Sequence, residues 1–265
     1  NDVPTIDLPA SVTFDEDGSY TEDFSIYIDD IDEDELSLSV TGGENVLVEI
    51  NDFIVIFTSN ADWNGTETLT FMVDDSQGRA VATDDIDVVV ISVNDAPVLT
   101  EISNQETNED TPLVLTLEAT DVDEDALTFD ALSNSSSYVS VVVSGDTLTM
   151  TPAEDFNGDV QISVSVTDGE YTDNTVFILT VTPVNDDPVA EDVAVFPSVP
   201  LETDDLILSY VYTDIENDPE SGTEITWFKD GAEQGGFANQ LTIPSSATSC
   251  DEVWYAIITP SDGMD

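Results

Sequence analysis

The sequence predicts an all-β protein, built as tandem β-sandwich domains in an elongated array. Three observations predict it. Apolar residues alternate strictly with polar ones through most segments, the mark of strands that turn one face to a core; Leu69, Phe71 and Val73 form one such run, and Ile162, Val164 and Val166 another. The stretch Val93-Asn94-Asp95-Ala96-Pro97 returns 91 positions later as Val184-Asn185-Asp186-Asp187-Pro188, and Asn1-Asp2-Val3-Pro4 reads as the tail of a further copy. Apolar residues at helical spacing are not found in any convincing run. A repeat of about 90 residues divides the chain into three modules, 1–95, 96–186 and 187–265.

Within the first module, Phe24, Ile26 and Ile28 alternate with polar neighbours and predict a strand, which Asp29-Asp30-Ile31-Asp32-Glu33-Asp34 interrupts. Leu36, Leu38 and Val40 resume the alternation, Gly42-Gly43 makes a turn, and Leu69 to Val73 and Ile86 to Val93 supply the later strands. The second module repeats the order. Leu113 to Ala119 alternate, Asp121-Val122-Asp123-Glu124-Asp125 follows, then Leu127 and Phe129, Val139 to Val143, Ile162 to Val166 and Val176 to Val184, with turns at Gly145-Asp146 and Asp168-Gly169. The third module is related but divergent. Leu206, Leu208, Tyr210 and Tyr212 lead into Asp214-Ile215-Glu216-Asn217-Asp218, then Ile225-Thr226-Trp227, a Lys229-Asp230-Gly231 turn and Val253 to Ile258. The strand that closes each earlier module has no counterpart here, so this sandwich is expected to lack its last strand and to offer an open edge. About seven short strands per module is the count of an immunoglobulin-like sandwich, although the Cys…Trp…Cys spacing of true immunoglobulin domains is missing.

The proline of each Val-Asn-Asp-x-Pro stretch cannot donate to a sheet ladder, so a strand ends there and leaves the Asn and Asp oxygens at a joint. Charge narrows what such joints can do. The chain carries 59 Asp and Glu against Arg79 and Lys229, a net charge of −57. Such a surface repels nucleic-acid phosphate and anionic membranes and suits divalent cations or a high-salt medium, with solubility through self-repulsion the plainer reading. No apolar run is long enough to span a membrane and no signal peptide is visible. Beginning inside a repeat and ending just after a strand, the sequence reads as a fragment of something longer. The single cysteine, Cys250, excludes an internal disulfide and is expected to be a small buried residue.

The acids keep register with the repeat. Glu16 and Glu109, Asp62 and Asp155, and Asp75 and Asp168 are each 93 apart. Asp30, Asp32 and Asp34 map onto Asp121, Asp123 and Asp125 at 91, and Asp95 maps onto Asp186 at the same interval. Glu202, Asp214, Glu216 and Asp218 follow at 93, with Asp262 at 94. Solvated charge needs no fixed register, whereas a coordination shell does. Asp-x-Asp on an extended segment places both carboxylates on one side, close enough to share an ion. So many like charges gathered without a cation would be costly. A set of Asp, Glu, Asn and backbone oxygens is the shell of Ca²⁺, which takes 6–8 such ligands, and is the ion expected here; Mg²⁺ prefers fewer carboxylates and retained waters. With no His and one Cys, zinc and copper have no ligand set.

Glu118-Ala119-Thr120-Asp121-Val122-Asp123, the Val164-to-Gly169 segment and the Val-Asn-Asp-x-Pro joints resemble the cadherin repeat. Together with the Trp63-Asn64-Gly65 and Phe156-Asn157-Gly158 turns, they are more similar still to the cadherin-like tandem repeats of large bacterial surface proteins and adhesins. The resemblance implies calcium between consecutive repeats. For the first joint it implies Glu16, Asp62, Asn94 and Asp95 with Asp121, Asp123 and Asp168, and for the second Glu109, Asp155, Asn185 and Asp186 with Asp214, Glu216 and Asp262. Asp2, Asp30, Asp32 and Asp75 would make a half-site facing an upstream module. The linker is shorter than the cadherin Asp-x-Asn-Asp-Asn, which implies fewer ions per joint.

The function expected is a structural segment of an extracellular, calcium-rigidified repeat protein at the cell surface, an adhesin stalk or filament, and not an enzyme. Its partners would be neighbouring repeats, other cell-surface proteins or glycans, or identical subunits in a filament; nucleic acid and a membrane span are not expected. The alternative is a carbohydrate- or protein-binding module centred on the third domain, where Trp227 and Trp254 lie. Core packing is the plainer role for these and for Trp63. Asn64-Gly65-Thr66 and Asn134-Ser135-Ser136 match the N-glycosylation pattern.

Overall fold

The computed structural model describes residues 2–78 and 81–264, which leaves Arg79 outside the described residues. The fold is all-β, with helix confined to three short 3-10 turns among the described residues. Two compact units make up the chain. The first comprises Asn1–Thr100, Glu118–Asp130 and Ser165–Asn174; the second comprises Glu101–Leu117, Ala131–Val164 and Thr175–Asp265.

The first unit holds a sandwich of two sheets. One runs in the order Ser11–Asp15, Val81–Ile91, Gly65–Asp74, Ser37–Thr41, and the other in the order Ser19–Asp23, Ile54–Ser59, Val46–Asn51. Period-two patterning places the core. Ile86, Val88 and Val90 are buried along one strand, and Leu69, Phe71 and Val73 along its neighbour. They meet Phe14, Val55 and Phe57, and the partly buried Trp63 packs on the same core. Ser11–Asp15 pairs parallel to Val81–Ile91, the other partners antiparallel.

One strand expected from alternation is interrupted. Phe24–Tyr27 is a 3-10 turn between the strands Ser19–Asp23 and Ile28–Asp29. The Asp23 carboxylate accepts the Ser25 N–H at 3.0 Å and nucleates the turn, the local bonding that favours Asp at such positions. Phe24 then faces the core and Ile26 faces solvent, 69% exposed, instead of sharing a face.

A carboxylate also fixes the turn at Gly42-Gly43. Glu67 accepts backbone N–H groups from Glu44 at 2.7 Å, Asn45 at 3.1 Å and Val46 at 2.7 Å. A Cβ on Gly43 would sit 2.6 Å from the Val46 carbonyl oxygen, and φ is +87°, so glycine is required there. Burial alone would push the Glu67 pKa up; the donors from Val46, Glu44 and Asn45 outweigh it and hold the pKa below its ordinary value. The stabilisation is therefore present above the ordinary carboxylate range and is lost as pH falls through the depressed folded value. Glu67→Gln is expected to cost about 1–2 kcal/mol at neutral pH, read by urea unfolding, and the difference from wild type should shrink in acid.

In the second unit, Leu113–Thr116, Thr147–Pro152 and Val139–Ser144 form one antiparallel sheet. Gln105–Asn108 pairs parallel with Thr172–Thr182, with Gln105 opposite Leu179, repeating the parallel pairing of the first sandwich. Further along the chain, Val189–Phe196, Leu206–Thr213 and Thr242–Ile243 make one three-stranded sheet, and Ala232–Glu233, Glu224–Lys229 and Trp254–Thr259 another. Leu206, Leu208, Ile225, Trp227 and Ile243 are buried between them. Trp227 is fully buried and donates its indole N–H to the Gln240 carbonyl at 2.8 Å.

Cys250, expected to be buried, is exposed. The following strand begins only at Trp254, which leaves Cys250 in a loop, where its thiol donates to Glu202 Oε1 at 2.9 Å. That hydrogen bond and the Glu202 charge push the thiol pKa up.

Candidate metal centre

Strand pairing delivers the acids of the first cluster to one place. Glu16 follows the strand Ser11–Asp15, and its N–H bonds the Ile91 carbonyl at 2.9 Å. Its side chain, 4% exposed, reaches past that strand end, so that Oε1 accepts the Val93 N–H at 2.7 Å. On the other side of Val93-Asn94-Asp95-Ala96-Pro97, Val98–Leu99 pairs with Ala119–Thr120. That pairing sets the Asp121–Asp125 turn beside the linker: Asp123 Oδ2 accepts the Asp95 N–H at 2.7 Å and its Oδ1 the Ser92 hydroxyl at 3.3 Å. The Asn94 amide donates to Asp168 Oδ2 at 2.9 Å. Carboxylate oxygens of Glu16, Asp95 and Asp123 lie within 4.8 Å of one another, as do those of Asp17, Asp62 and Asp95.

The second cluster is built the same way, inside the other unit. Glu109 bonds the Thr182 carbonyl through its N–H at 2.9 Å, and its Oε1 accepts the Val184 N–H at 2.6 Å. Glu216 Oε2 accepts the Asp186 N–H at 3.4 Å, the longer side chain standing where Asp123 stands in the first cluster. Oxygens of Glu109, Asp186 and Glu216 lie within 4.8 Å of one another, as do those of Asp110, Asp155 and Asp186. Asp214 Oδ1 accepts the Asp218 N–H at 2.8 Å, and Asp262 Oδ1 the Met264 N–H at 2.7 Å. The Met264 N–H first, and the Asn185 amide with it, hold the Asp262 pKa below its ordinary value against burial. At the other pole of the first sandwich, Asp30, Asp32 and Asp34 gather their oxygens within 4.8 Å, the Asp2 N–H donates to Asp32, and Asp75, 1% exposed, lies near enough for its charge to act on Asp32.

Two details differ from expectation. Asp-x-Asp is not extended. Asp30 Oδ1 accepts the N–H of Asp32 at 2.9 Å, and Asp121 Oδ1 accepts those of Asp123 at 3.0 Å and Asp125 at 3.3 Å. The short side chain closes a turn on its own backbone, which an Asp prefers to a ladder. Asp17 and Asp110 were not anticipated, although they too are 93 apart. Asp17, Asp62, Asp110 and Asp155 all adopt left-handed backbone, φ 56–58°, which Asp tolerates better than most residues.

Whether a cation fits is tested by the oxygens left over. Asp30 Oδ2, Asp121 Oδ2 and Asp214 Oδ2, equivalent atoms in three repeats, are buried with no hydrogen-bond partner; so are Asp95 Oδ2 and its counterpart Asp186 Oδ2, Glu109 Oε2 and Asp262 Oδ2. Buried acceptors are normally satisfied. These are carboxylate oxygens, and those of Asp30, Asp121 and Asp214, and of Asp95 and Asp186, recur at the same repeat positions. Burial raises the pKa of Asp95, reinforced by Asp62, Asp123, Asp17 and Glu16; burial also raises Asp155, with Glu154, Asp110 and Glu109 adding to it, and raises Glu216. Asp168 is held low, first by the Asn94 amide. The chemistry of the donor set, oxygen throughout, fits a hard divalent cation.

Elsewhere, an open cavity of about 520 Å³ near the chain's end is lined by Val195, Leu201, Glu202, Cys250 and Trp254, among others. The Trp254 ring is already engaged edge-on by Trp227 at 6.5 Å and by Phe237 at 6.1 Å, with Lys229 Nζ 5.8 Å from its centroid. Trp63 packs against Gly65, where a Cβ would lie 3.0 Å from its ring. Trp227 lies in the core, and Trp63 and Trp254 pack half-buried against theirs.

Residues 93–182 match the family model of the cadherin-like domain, and residues 1–90 match that of the bacterial Ig domain. No curated protein matches the chain. Among solved structures, human protocadherin-24 EC1-2 is 16% identical over 68% of this chain and 97% of that chain, with a TM-score of 0.46. Drosophila N-cadherin EC1-4 is 13% identical over 98% of this chain and 71% of that one, at a TM-score of 0.41. An endo-fucoidan hydrolase of glycoside hydrolase family 107 is 17% identical over 69% of this chain, at 0.34; the match spans 29% of the hydrolase. No helix among the described residues is long and apolar enough to cross a membrane.

Proposed function

We propose that the chain, whose residues 93–182 match the cadherin-like domain and 1–90 the bacterial Ig domain, is a segment of an extracellular surface protein whose repeats are stiffened by Ca²⁺. An adhesin stalk or a cell-surface filament is the setting. The observation that carries this reading is the recurrence of buried, unpartnered carboxylate oxygens at Asp30, Asp121 and Asp214. In this reading Val93–Pro97 and Val184–Pro188 are the joints of three modules, 1–95, 96–186 and 187–265. Glu16, Asp62, Asn94, Asp95, Asp121, Asp123 and Asp168 hold Ca²⁺ at the first, joined by Asp17. Glu109, Asp155, Asn185, Asp186, Asp214, Glu216 and Asp262 hold it at the second, joined by Asp110. Asp2, Asp30, Asp32 and Asp75, with Asp34, form the half-site.

Bound Ca²⁺ supplies positive charge among opposed carboxylates. The chain's own part is positional. Val93 and Val184 N–H groups hold Glu16 and Glu109 against the linker, and Asp123 and Glu216 grip it from the following repeat. With the charge neutralised these grips cooperate; without it the acids repel and the linker loosens. The matched domain types are non-catalytic, and the role is mechanical, with neighbouring repeats as the immediate partners. Small-angle scattering with Ca²⁺ and then with excess chelator tests it. The maximum dimension is expected to change as the linkers loosen, and an unchanged maximum dimension sinks the proposal.

A further inference from the structure

The two clusters occupy equivalent places but are not chemically equal, and the differences run in one direction. Glu16 and Glu109 correspond, both nearly buried and both bonded through Oε1 to a linker N–H. Glu16 Oε2 has a donor, the Asn64 amide at 3.5 Å, whereas Glu109 Oε2 is buried without a partner. Asp168 and Asp262 correspond as well. Asp168 accepts Glu170 and Tyr171 N–H groups through Oδ1 and the Asn94 amide through Oδ2. Asp262, 5% exposed, accepts Met264 N–H through Oδ1 and leaves Oδ2 buried and unpartnered.

A third difference is a residue type. Position 212 falls 93 after Ala119, and where the first cluster has that methyl group the second has Tyr212. The Tyr212 hydroxyl is buried with no partner. Its phenol oxygen offers lone pairs beside the Asp214 turn. The substitution of Glu216 for Asp does not undo the site, because its carboxylate still meets the linker N–H of Asp186.

Resting on the calcium reading above, we propose that the second cluster is the tighter of the two cation sites and fills first, and that the Tyr212 hydroxyl belongs to it as a neutral oxygen. The reason is relief. Both clusters leave the Asp95 or Asp186 and the Asp121 or Asp214 oxygens unsatisfied; the second adds Glu109 Oε2, Asp262 Oδ2 and Tyr212. A cation gains most where the empty protein is worst satisfied, since the unmet acceptors raise the free energy of the unbound state.

The test is a Ca²⁺ titration of the full chain by calorimetry, after stripping with chelator, at fixed ionic strength. The tightest class of sites is expected to be lost in Asp214→Asn and retained in Asp121→Asn, with the two clusters separated by roughly tenfold in affinity. Tyr212→Phe is expected to weaken the tightest class by about fivefold and leave the other class unchanged, and, with an unmet buried hydroxyl removed, not to lower the chelator-state melting temperature. Should Asp214→Asn fail to fold, Glu216→Gln replaces it. Loss of the tightest class in Asp121→Asn instead, or equal affinities, overturns the ranking and leaves the calcium reading standing. A Tyr212→Phe protein that titrates as wild type removes Tyr212 from the site. Absence of binding at any site overturns the calcium reading itself.

Discussion

Removing Ca²⁺ with excess chelator is expected to lower the melting temperature by roughly 10–20 °C. An ion present at 100 times its dissociation constant adds about 2.7 kcal/mol to the state that binds it. In a domain of this size 1 kcal/mol corresponds to about 4–8 °C. The loss should exceed what the bare count of acids suggests, because the carboxylates concerned are not free to swing into water. Glu16 and Glu109 are nearly buried and pinned to linker N–H groups, and Asp95 sits amid Asp62, Asp123, Asp17 and Glu16. Scanning calorimetry at constant ionic strength is the measurement, since Na⁺ screening at high salt would mask part of the repulsion. A melting temperature that stays within a degree or two after chelation would mean that the orphaned oxygens are satisfied by water, and the proposed function would fall with it.

Much of the fold was legible because period two is a long-range signal that local chemistry rarely corrupts. Val81–Ile91 and Gly158–Thr167 are buried on the faces their alternation predicts. Legibility failed where a single polar side chain competes with the ladder. Asp23 turns the chain at Phe24, and Asp30 and Asp121 fold Asp-x-Asp into turns, each through one carboxylate oxygen and a backbone N–H two residues on. Alternation cannot register such a bond. The candidate site was legible for a different reason. Repetition at 91–93 residues exposes acids that keep register, whatever conformation carries them. Asp17 and Asp110 obey the same spacing, each directly after the glutamate of its repeat. The inequality of the clusters was beyond the sequence, since it depends on which oxygens receive donors, and Asn64 and Asn157 are identical in type yet Asn64 alone is seen to donate to its glutamate.

Phe24→Ala is expected to cost about 3–5 kcal/mol, the largest effect of any substitution considered in the first sandwich. Phe24 is fully buried, and its ring lies 4.9 Å from Phe71, 6.1 Å from Phe57 and 6.0 Å from Tyr27, the last edge-on. Phe57 and Phe71 also meet edge-on at 6.1 Å, so deleting Phe24 opens a cavity walled by aromatic rings, which cannot collapse inward without leaving their own strands. Backbone geometry compounds the loss. The Phe24 N–H bonds the Phe53 carbonyl at 2.8 Å, which ties the 3-10 turn to the loop before Ile54–Ser59. Ile26→Ala, two residues on, is expected to change stability by less than about 0.5 kcal/mol, because that side chain is already in solvent. Urea unfolding of both variants decides the matter. If the stretch were a regular strand with Phe24 and Ile26 on one face, the two would cost comparable amounts; the 3-10 turn requires that they differ by several-fold.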